Sequence, residues 1–279
     1  MPKVSVIIVN YNTKKYILPC LESVFEKTKD IDFEVIVIDN ASVDDSCGAI
    51  ESQFPQVKLI KNEKNLGFGM ANNVGFEHAQ GKYIFLLNPD TVIENNAIKI
   101  LCDFMENNPD CGAAGGNLYD ANGYETHSFG YGDDLKSLLI RKTPLKLLAR
   151  WEYKKIKNYE KNRDKSKAQI VNHITGADLM IKKEVLDKVG GFAPEFFLYF
   201  EETELELRIK KAGYKLWFVP ESKITHLEGK STNPMRDKFY IDGFITYYHL
   251  CYGPFWGNVA RFLQLGRVLK LNTKLWLKK

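Results

Sequence analysis

The first 120 residues alternate short apolar segments with segments of helical length, and this alternation limits the possible folds more than any other feature of the chain. Buried strands are predicted over four segments rich in β-branched residues: Val4–Val9, Phe33–Ile38, Val57–Ile60 and Tyr83–Leu87. Helices are predicted between them, over Lys15–Lys27, Asp44–Phe54 and Phe68–Gln80. A βαβαβ order of this kind predicts an α/β fold with a mostly parallel sheet and right-handed crossovers.

Polar or glycine-rich residues follow each of these predicted strands, at the edge where parallel sheets bind ligands. In chain order they are Asn10-Tyr11-Asn12-Thr13, Asp39-Asn40-Ala41-Ser42, Asn65-Leu66-Gly67-Phe68-Gly69 and Asn88-Pro89-Asp90-Thr91. A dinucleotide-binding fold would have G-x-G-x-x-G directly after its first strand. The first turn of this chain contains no glycine, so the sequence argues against that class.

The strand and helix pattern continues through the rest of the chain. A helix is predicted over Asn95–Asn107 and a strand over Gly112–Asn117, and after residue 168 short strands and helices return. The strand over Lys215–Val219 is predicted to stop at Pro220. We predict one domain over residues 1–230, in the parts 1–119, 120–168 (a loop and a basic helical insert) and 169–230, followed by a helical basic C-terminal extension over 231–279.

The net charge of +4 is unevenly distributed along the chain. Residues 130–167 hold 12 Lys and Arg against 5 Asp and Glu, and residues 230–279 hold 9 against 2. Both segments also contain leucine and aromatic side chains, a combination that favours an anionic membrane surface as partner. A helix packed on its own domain is the alternative. Nucleic acid is not the predicted partner, because no zinc-finger or RNP-type motif accompanies the charge.

Cysteine usage and hydropathy indicate the compartment. The five cysteines are odd in number and show no C-x-x-C spacing, which is typical of reduced thiols and not of a disulfide framework or a zinc site. No apolar run approaches the roughly 20 residues that span a bilayer. We predict a cytoplasmic protein, peripheral at the inner face of the cell membrane, and the sequence is compatible with an oligomer.

Asp90 and His226 are the candidate metal ligands. Mg²⁺ and Mn²⁺ prefer hard oxygen ligands, usually one or two carboxylates together with substrate phosphates, and Asp90 follows a buried strand. The alternative is that Asn88-Pro89-Asp90 is only a turn. His226 follows a short predicted strand, and a neutral imidazole there could complete the site or be purely structural. The histidines at 78, 127, 173 and 249 have no partner at useful spacing.

Two further carboxylate positions have both a functional and a structural interpretation. Asp39 could accept the imide N–H of a uracil or thymine ring, or it could cap a helix. Glu201-Glu202-Thr203-Glu204 begins a predicted helix, where the macrodipole favours carboxylates. The same cluster follows an aromatic run, and crowded carboxylates beside apolar groups have raised pKa values, which suits a general base. The spacing of these carboxylates leaves the choice of base open.

As an ordered set, the motifs resemble the inverting family-two glycosyltransferases with the GT-A fold, especially their rhamnosyltransferase-like branch. The matching segments are V-S-V-I-I-V-N-Y-N, V-I-V-I-D-N-A-S, N-L-G-F-G-M-A-N-N, L-L-N-P-D-T, G-A-D-L-M-I, V-G-G-F, F-F-L-Y-F-E-E-T-E-L and A-G-Y-K. They cover residues 4–118 and 169–232. Serine-hydrolase and zinc-protease signatures (G-x-S-x-G, H-E-x-x-H) are absent from the sequence.

The resemblance implies roles for individual residues. The nucleotide-sugar site would comprise Val9, Tyr11, Asp39, Asn65, Gly67, Asn72 or Asn73, Asn88 and Asp90. Asp90 and His226 would bind Mn²⁺ or Mg²⁺, and Gly176 and Asp178 would contact the acceptor. Glu202 matches the family's catalytic carboxylate, and Glu201 is the second candidate because this chain has E-E-T-E where the family usually has E-D-x-D.

The resemblance also implies the reaction. The donor would be dTDP-rhamnose or a UDP-hexose, and the acceptor a hydroxyl of a cell-surface polysaccharide or a lipid-linked glycan. A single displacement, with Glu202 as general base, would invert the anomeric centre. The alternative is a catalytically inactive nucleotide-sugar-binding partner subunit. A nucleotidyltransferase is disfavoured, because it would need a phosphate loop rich in Gly and Arg or Lys after the first strand.

Overall fold

A computed structural model describes residues 2–130, 134–142, 145–154, 164–227 and 234–276. Its strands are β1 Val4–Asn10, β2 Phe33–Asp39, β3 Lys58–Lys61, β4 Tyr83–Leu87, β5 Thr91–Ile93, β6 Cys111–Tyr119, β7 Phe129–Gly130, β8 Gln169–Val171, β9 His173–Ile174, β10 Asp178–Lys182 and β11 Lys215–His226. Its helices include α1 Lys14–Lys27, α2 Ser46–Gln53, α3 Phe68–His78, α4 Ala97–Asn107, α5 Leu135–Lys142, α6 Leu145–Leu148, α7 Lys183–Val189, α8 Glu201–Lys211, α9 Pro234–Tyr252 and α10 Pro254–Trp276.

The first half of the chain forms the predicted parallel sheet. β1 pairs in parallel with β2 and β4, and β2 pairs in parallel with β3. Every residue of β1 is buried, because helices cover both faces of the sheet. The four strands end together, so the polar residues that follow β1, β2, β3 and β4 share one edge.

The second half extends this sheet with mixed strand directions. Within the described chain the order is β3-β2-β1-β4-β10-β6-β11-β5, and β8 pairs with β11. β10 lies antiparallel between β4 and β6, and β11 runs parallel to β6 and antiparallel to β5. The start of β10 and the end of β11 therefore lie at the edge where β4 ends.

Two apolar clusters cover the faces of the sheet. One contains Ile17 and Leu21 of α1 with Leu101 of α4, and the other contains Ala71 of α3 with Leu205 of α8. Burying an aliphatic side chain of this size contributes about 1.5–3 kcal/mol, so these faces supply most of the driving force for folding.

The last strand is longer than the sequence predicted. β11 runs as one strand through Pro220 to His226, where a stop at Pro220 and a separate short strand over Ser222–Thr225 were expected. The pairing of β11 with β6 shifts register between Phe218 and Lys223. Proline lacks a backbone N–H but is tolerated at such an irregularity, where no ladder hydrogen bond is required of it. Because the strand continues, His226 reaches the edge where Asp90 lies.

The C-terminal helices pack on the domain through aromatic side chains. Phe244, Tyr247 and Tyr248 of α9 form a buried cluster with Phe196 and Phe200, which precede α8. The predicted break at Gly253-Pro254 is present, and Gly253 has a left-handed φ of +95°. The extension is thus helical as predicted, and one face of α9 is part of the folded core. The predicted boundary at residue 230 lies outside the described residues.

Candidate active site

A buried polar network joins the carboxyl ends of β1 and β2. Nδ2 of Asn10 donates to Oδ1 of Asp39 at 2.6 Å and to Oγ of Ser46 at 2.7 Å. The other carboxylate oxygen of Asp39 accepts the amide of Ser42 at 3.0 Å, in the turn after β2. The N-cap of the following helix α2 is Asp45, so Asp39 does not cap that helix. Asp39 is 3% exposed. Its carboxylate is held rigidly at the strand end, where one oxygen atom can accept a further hydrogen bond.

Asn40 links this network to the loop after β3. Its Nδ2 donates to Oδ1 of Asn65 at 3.0 Å and to the carbonyl of Gly67 at 3.1 Å, and its Oδ1 accepts from Nδ2 of Asn62 at 3.0 Å. Asn40 was not among the candidate site residues. The sequence could have indicated Asn40, because it is a polar residue directly after a buried strand and adjoins Asp39, which was a candidate.

Gly67 connects the same loop to the aromatic run before α8. Its φ is +84°, and a Cβ on Gly67 would lie 2.3 Å from the carbonyl oxygen of Phe197. That carbonyl accepts the amide of Phe68 at 3.0 Å. Only glycine fits this contact, which holds the loop after β3 against the aromatic run before α8. Tyr11, after β1, is 48% exposed, whereas Val9 is nearly buried in the core.

Asn72 and Asn73 are not brought to this cluster. The side-chain amide of Asn73 forms two hydrogen bonds with the main chain of Phe192. Its Nδ2 donates to the Phe192 carbonyl at 2.8 Å, and its Oδ1 accepts the Phe192 amide at 2.8 Å. Asn72 is 1% exposed and donates to the carbonyl of Phe68 at 3.0 Å. Their positions on α3 direct them to the protein interior, so they hold α3 and its neighbouring loop in place.

Asp90 and His226 lie side by side. Oδ1 of Asp90 is 3.2 Å from Nε2 of His226. The antiparallel pairing of β5 with β11 places Thr91 opposite His226, and the amide of Leu227 donates to the carbonyl of Asp90 at 2.8 Å. The alternative to a metal site was that Asn88-Pro89-Asp90 is only a turn. The structure shows that this turn brings the Asp90 carboxylate to the His226 imidazole.

This pair suits a divalent cation that is shared with a substrate. A carboxylate oxygen and an imidazole nitrogen are both accepted ligands of Mn²⁺, and Mg²⁺ binds through one or two carboxylates with substrate phosphates. No cluster of three or more His, Cys, Asp or Glu suited to a metal occurs among the described residues. The remaining ligands would have to come from a diphosphate and water.

Two of the four glutamates of α8 have structural partners. Glu204 forms an ion pair with Arg208, at 2.6 Å from Oε2 to Nη2, and Nη2 of Arg208 also donates to the carbonyl of Gly191 at 2.7 Å. Glu206 is fully buried and lies 2.7 Å from Nδ1 of His173. The sequence showed no partner for His173 at useful spacing, and the fold supplies one 33 residues away along the chain.

The other two glutamates, Glu201 and Glu202, have different environments. Glu201 is 2% exposed, and its Oε2 has no hydrogen-bond partner among the described residues. Burial raises the pKa of Glu201 well above its usual range, and the charge of Glu202 raises it further. Glu202 is half-buried and lies over the turn between β9 and β10, where a Cβ on Gly176 would be 3.5 Å from its Oε1.

Asp178 is not accessible to an acceptor in this structure. Its side chain is fully buried, Oδ2 accepts the amide of Gly116 at 2.6 Å, and Oδ1 has no partner among the described residues. Burial raises the pKa of Asp178 well above its usual range. The expectation that Asp178 contacts acceptor hydroxyls is therefore corrected, since strand β10 directs this side chain into the core.

Main-chain pairing connects the part of the site that contains Glu202 to the part that contains Asp90 and His226. The amide of Asn88 donates to the carbonyl of Ala177 at 3.0 Å, which continues the pairing of β4 with β10 by one residue. Glu202 lies over the neighbouring Gly176, where a Cβ would be 3.4 Å from its Cγ, and Asp90 lies two residues beyond Asn88. One sheet edge thus carries a half-buried carboxylate, a carboxylate–imidazole pair and the Asp39–Asn40 network.

Two solved structures with the same fold contain a nucleotide or a nucleotide sugar together with Mn²⁺. The structure of GalNAc-T7 with UDP, GalNAc and Mn²⁺ aligns with a TM-score of 0.64 at 19% identity, over 89% of this chain and 48% of that one. The mannosyltransferase PcManGT of Pyrobaculum calidifontis, in complex with GDP-Man and Mn²⁺, aligns with a TM-score of 0.62 at 18% identity, over 98% and 72%. The predicted GT-A-type fold is confirmed by these alignments.

Sequence relatives agree with this fold. The N-acetylglucosaminyl-diphospho-decaprenol L-rhamnosyltransferase of Mycobacterium tuberculosis is 26% identical over 211 residues, which are 71% of this chain and 67% of the relative. Glycosyltransferase GlyG of Streptococcus pneumoniae is 31% identical over 120 residues, 42% of this chain and 39% of its own length. The model of the family described as Glycosyl transferase family 2 matches residues 5–190. This chain belongs to glycosyltransferase family 2.

Proposed function

We propose that this protein is an inverting, metal-dependent glycosyltransferase that moves a sugar from a nucleoside diphosphate to a hydroxyl of a polysaccharide or a lipid-linked glycan. The observation that carries this proposal is the arrangement along one sheet edge. There, Glu202 lies over Gly176, and Gly176 adjoins Ala177, which pairs with Asn88 two residues before Asp90. A base and a diphosphate-binding carboxylate on one edge are what a direct displacement at an anomeric carbon needs.

The chemistry assigned to the protein's own side chains is a single displacement. The Glu202 carboxylate accepts the proton of the acceptor hydroxyl while that oxygen forms a bond to the anomeric carbon. The bond from the anomeric carbon to the diphosphate breaks, and the nucleoside diphosphate leaves with the bonding electrons. Attack from the face opposite the leaving group inverts the configuration.

Asp90 and His226 would hold the divalent ion, whether Mn²⁺ or Mg²⁺. When bound, such an ion offsets the negative charge that develops on the leaving diphosphate. The fit rests on their adjacent donor atoms, 3.2 Å apart, and on the small number of protein ligands, which leaves coordination positions for phosphate oxygens.

The nucleoside would bind at the Asp39–Asn40 network. The fixed Asp39 carboxylate can accept the imide N–H that uracil and thymine share, and Tyr11, which follows the Asn10 that binds Asp39, offers an exposed ring. Guanine also presents an N1–H and an amino group to a carboxylate, so our preference for UDP and dTDP over GDP rests on the resemblance to the rhamnosyltransferase-like branch and not on this contact. Among such donors we favour dTDP-rhamnose, followed by a UDP-hexose, because the mycobacterial relative is a rhamnosyltransferase.

A thermal-shift screen with UDP-, dTDP- and GDP-sugars, each with Mn²⁺, Mg²⁺ or a chelator, tests this proposal. A ligand at about 100 times its Kd stabilises the native state by about 2.7 kcal/mol, which corresponds to a Tm increase on the order of 5 °C for a domain of this size. We expect this increase with a dTDP- or UDP-sugar and the metal, and little increase with the chelator. Equal shifts with and without metal, or no shift with any donor, would contradict the proposal.

The outer side of α10 supports the peripheral membrane location. Phe255, Phe262 and Leu265 recur at helical spacing and are 70%, 74% and 47% exposed. Arg261 and Arg267 are exposed on the same helix, which contains no Asp or Glu. Apolar side chains flanked by cations on a helix surface are typical of binding to anionic lipid. Among the described helices, none combines the length and the hydropathy that crossing a bilayer would require.

Vesicle co-sedimentation tests the lipid contact. We expect the wild-type protein to bind vesicles that contain phosphatidylglycerol and to bind phosphatidylcholine vesicles weakly. The double variant Phe255→Ser, Phe262→Ser should bind the anionic vesicles at least about tenfold more weakly, because each buried Phe contributes about 1.5–3 kcal/mol. The control variant Tyr124→Ser removes an aromatic side chain that is 72% exposed in another part of the chain. Equal loss in both variants would remove α10 as the docking helix.

A further inference from the structure

The two residues before α8 have an unusual backbone conformation. Tyr199 and Phe200 have φ values of +73° and +72°. Bulky side chains rarely adopt this left-handed region, and two in succession need support from the surrounding structure. Their position matters, because the amide of Glu204 donates to the carbonyl of Phe200 at 3.0 Å. The conformation of this dipeptide therefore fixes where α8 begins and where Glu201 and Glu202 lie.

One face of α9 contacts Tyr199 at its hydroxyl, its ring and its carbonyl. Arg236, Tyr240 and Gly243 are four and three residues apart, so they share that face. Nε of Arg236 donates to the hydroxyl of Tyr199 at 2.7 Å, and the ring centroids of Tyr240 and Tyr199 are 6.1 Å apart. A Cβ on Gly243 would lie 2.5 Å from the carbonyl oxygen of Tyr199.

The same helix encloses the ring of Phe200. Phe200 is 7% exposed, and its ring centroid lies 5.3 Å from that of Tyr240, 5.6 Å from that of Phe244 and 5.8 Å from that of Tyr247. Aromatic packing of this kind is directional, so it restrains the orientation of the ring as well as burying it. Helix α9 thus contacts the strained dipeptide at a hydroxyl, a carbonyl and an aromatic ring.

Gly243 lies inside a 19-residue helix, where glycine is less favourable than alanine. Helix formation alone gives no reason for glycine at this position. The close approach of the Tyr199 carbonyl does, because any side chain on residue 243 would push that carbonyl away.

From these contacts we infer that α9 is a positioning element of the active site, in which Gly243 sets the location of Glu202 through the backbone of Tyr199 and Phe200. This inference rests on the proposed role of Glu202 as the base. Gly243 itself contacts neither substrate, and its effect is transmitted by the Tyr199 carbonyl. The C-terminal helix pair is then required for the chemical step as well as for burial of apolar surface.

The test is Gly243→Ala, with Gly266→Ala as the matched control. Gly266 is also a helical glycine, in α10, and a Cβ there would have no heavy atom within 4 Å. A displacement of about 1 Å at a reacting group can lower a rate by about 100-fold. For Gly243→Ala we expect kcat to fall roughly 10- to 100-fold, the donor Kd to stay within about threefold, and the backbone amides of residues 201–206 to exchange faster with deuterium. Gly266→Ala should match wild type in all three.

Two results would overturn the inference. One is a Gly243→Ala protein with unchanged kcat and unchanged exchange in residues 201–206. The other is a loss of donor affinity in proportion to kcat together with a lower Tm, which would indicate general loss of packing. If Gly243→Ala does not fold, Tyr199→Phe is the second test, because it removes the hydroxyl that accepts from Arg236. We expect kcat to fall and amide exchange in residues 201–206 to become faster. No change in either quantity would refute the inference.

The exchange measurement separates this inference from the proposed function. If wild-type protein transfers no sugar from any donor, the proposed function fails, and faster exchange of residues 201–206 in Gly243→Ala still supports the positioning of α8 by α9. If wild-type protein transfers sugar and Gly243→Ala behaves as wild type, the function stands and the positioning fails.

Discussion

Glu202→Gln should lower kcat by roughly 10²–10⁴-fold, the range expected for loss of a general base. Gln has nearly the same size as Glu but cannot accept the acceptor's proton. Donor binding should stay within about threefold of wild type, because the residues proposed to bind the donor, Asp39 and Asp90, are unchanged. The measurement is a steady-state assay of sugar transfer, together with a donor titration by calorimetry.

Glu201→Gln on the same helix is the matched control. Glu201 is buried, and its carboxyl has a raised pKa because of that burial and because of the charge of Glu202. We expect transfer to stay within about tenfold of wild type, because the Glu201 side chain is not at the accessible surface of the site. A large loss in Glu201→Gln with little loss in Glu202→Gln would assign the base to Glu201.

The Glu201→Gln variant should also differ from wild type in how its stability depends on pH. With a raised native pKa, Glu201 keeps its proton above the pH at which the unfolded chain releases it, so the native state binds more protons in that window. The free energy of unfolding of wild type then falls as the pH rises through the window. Glu201→Gln removes this effect, so its Tm relative to wild type should be higher at pH 8 than at pH 5. A difference in Tm that is independent of pH would contradict the raised pKa.

Asp90→Ala should abolish the metal-dependent part of donor binding and lower transfer by at least about 100-fold, because metal stabilisation of developing charge contributes several kcal/mol. The donor Kd, measured with Mn²⁺ and with a chelator, should become the same under both conditions. The physical reason is that Asp90 supplies the hard anionic ligand, and His226 alone is a neutral donor.

His226→Ala is the graded comparison for Asp90→Ala. It leaves the carboxylate in place and removes the imidazole that lies 3.2 Å from it. We expect weaker metal dependence of donor binding without its complete loss. Donor affinity that still depends on Mn²⁺ in Asp90→Ala, to the same extent as in wild type, would remove Asp90 from the metal site.

Local patterns in the sequence were sufficient for most elements of the first half. The strands and helices predicted there agree with the observed bounds to within two residues, because apolar periodicity and flanking polar residues act over a few positions along the chain. The three-residue strand β5 was not predicted. Pro220 shows where such reasoning fails. A proline normally ends a strand, but β11 continues because its pairing with β6 is irregular at that point, and pairing with a distant strand leaves no local signal.

The glutamates of α8 show the same limit at the site. Their spacing could not rank them, and their roles differ because of the tertiary contacts around each one. Glu206 pairs with His173, Glu204 pairs with the arginine that binds the 189–191 main chain, and Glu201 is buried. Glu202 remains half-buried over Gly176, which is 26 residues earlier.

Three features were readable from the amino-acid pattern: the βαβαβ order, the polar residues at each strand end, and the family to which the chain belongs. Local periodicity and short motifs encode those features. Only the three-dimensional fold shows which residues lie together: the side chain of Asp90 beside that of His226, Glu202 over the backbone of Gly176, and Gly243 against the carbonyl of Tyr199. These contacts depend on strand register and on helix packing between segments up to 136 residues apart. Periodicity over a few residues contains no information about either.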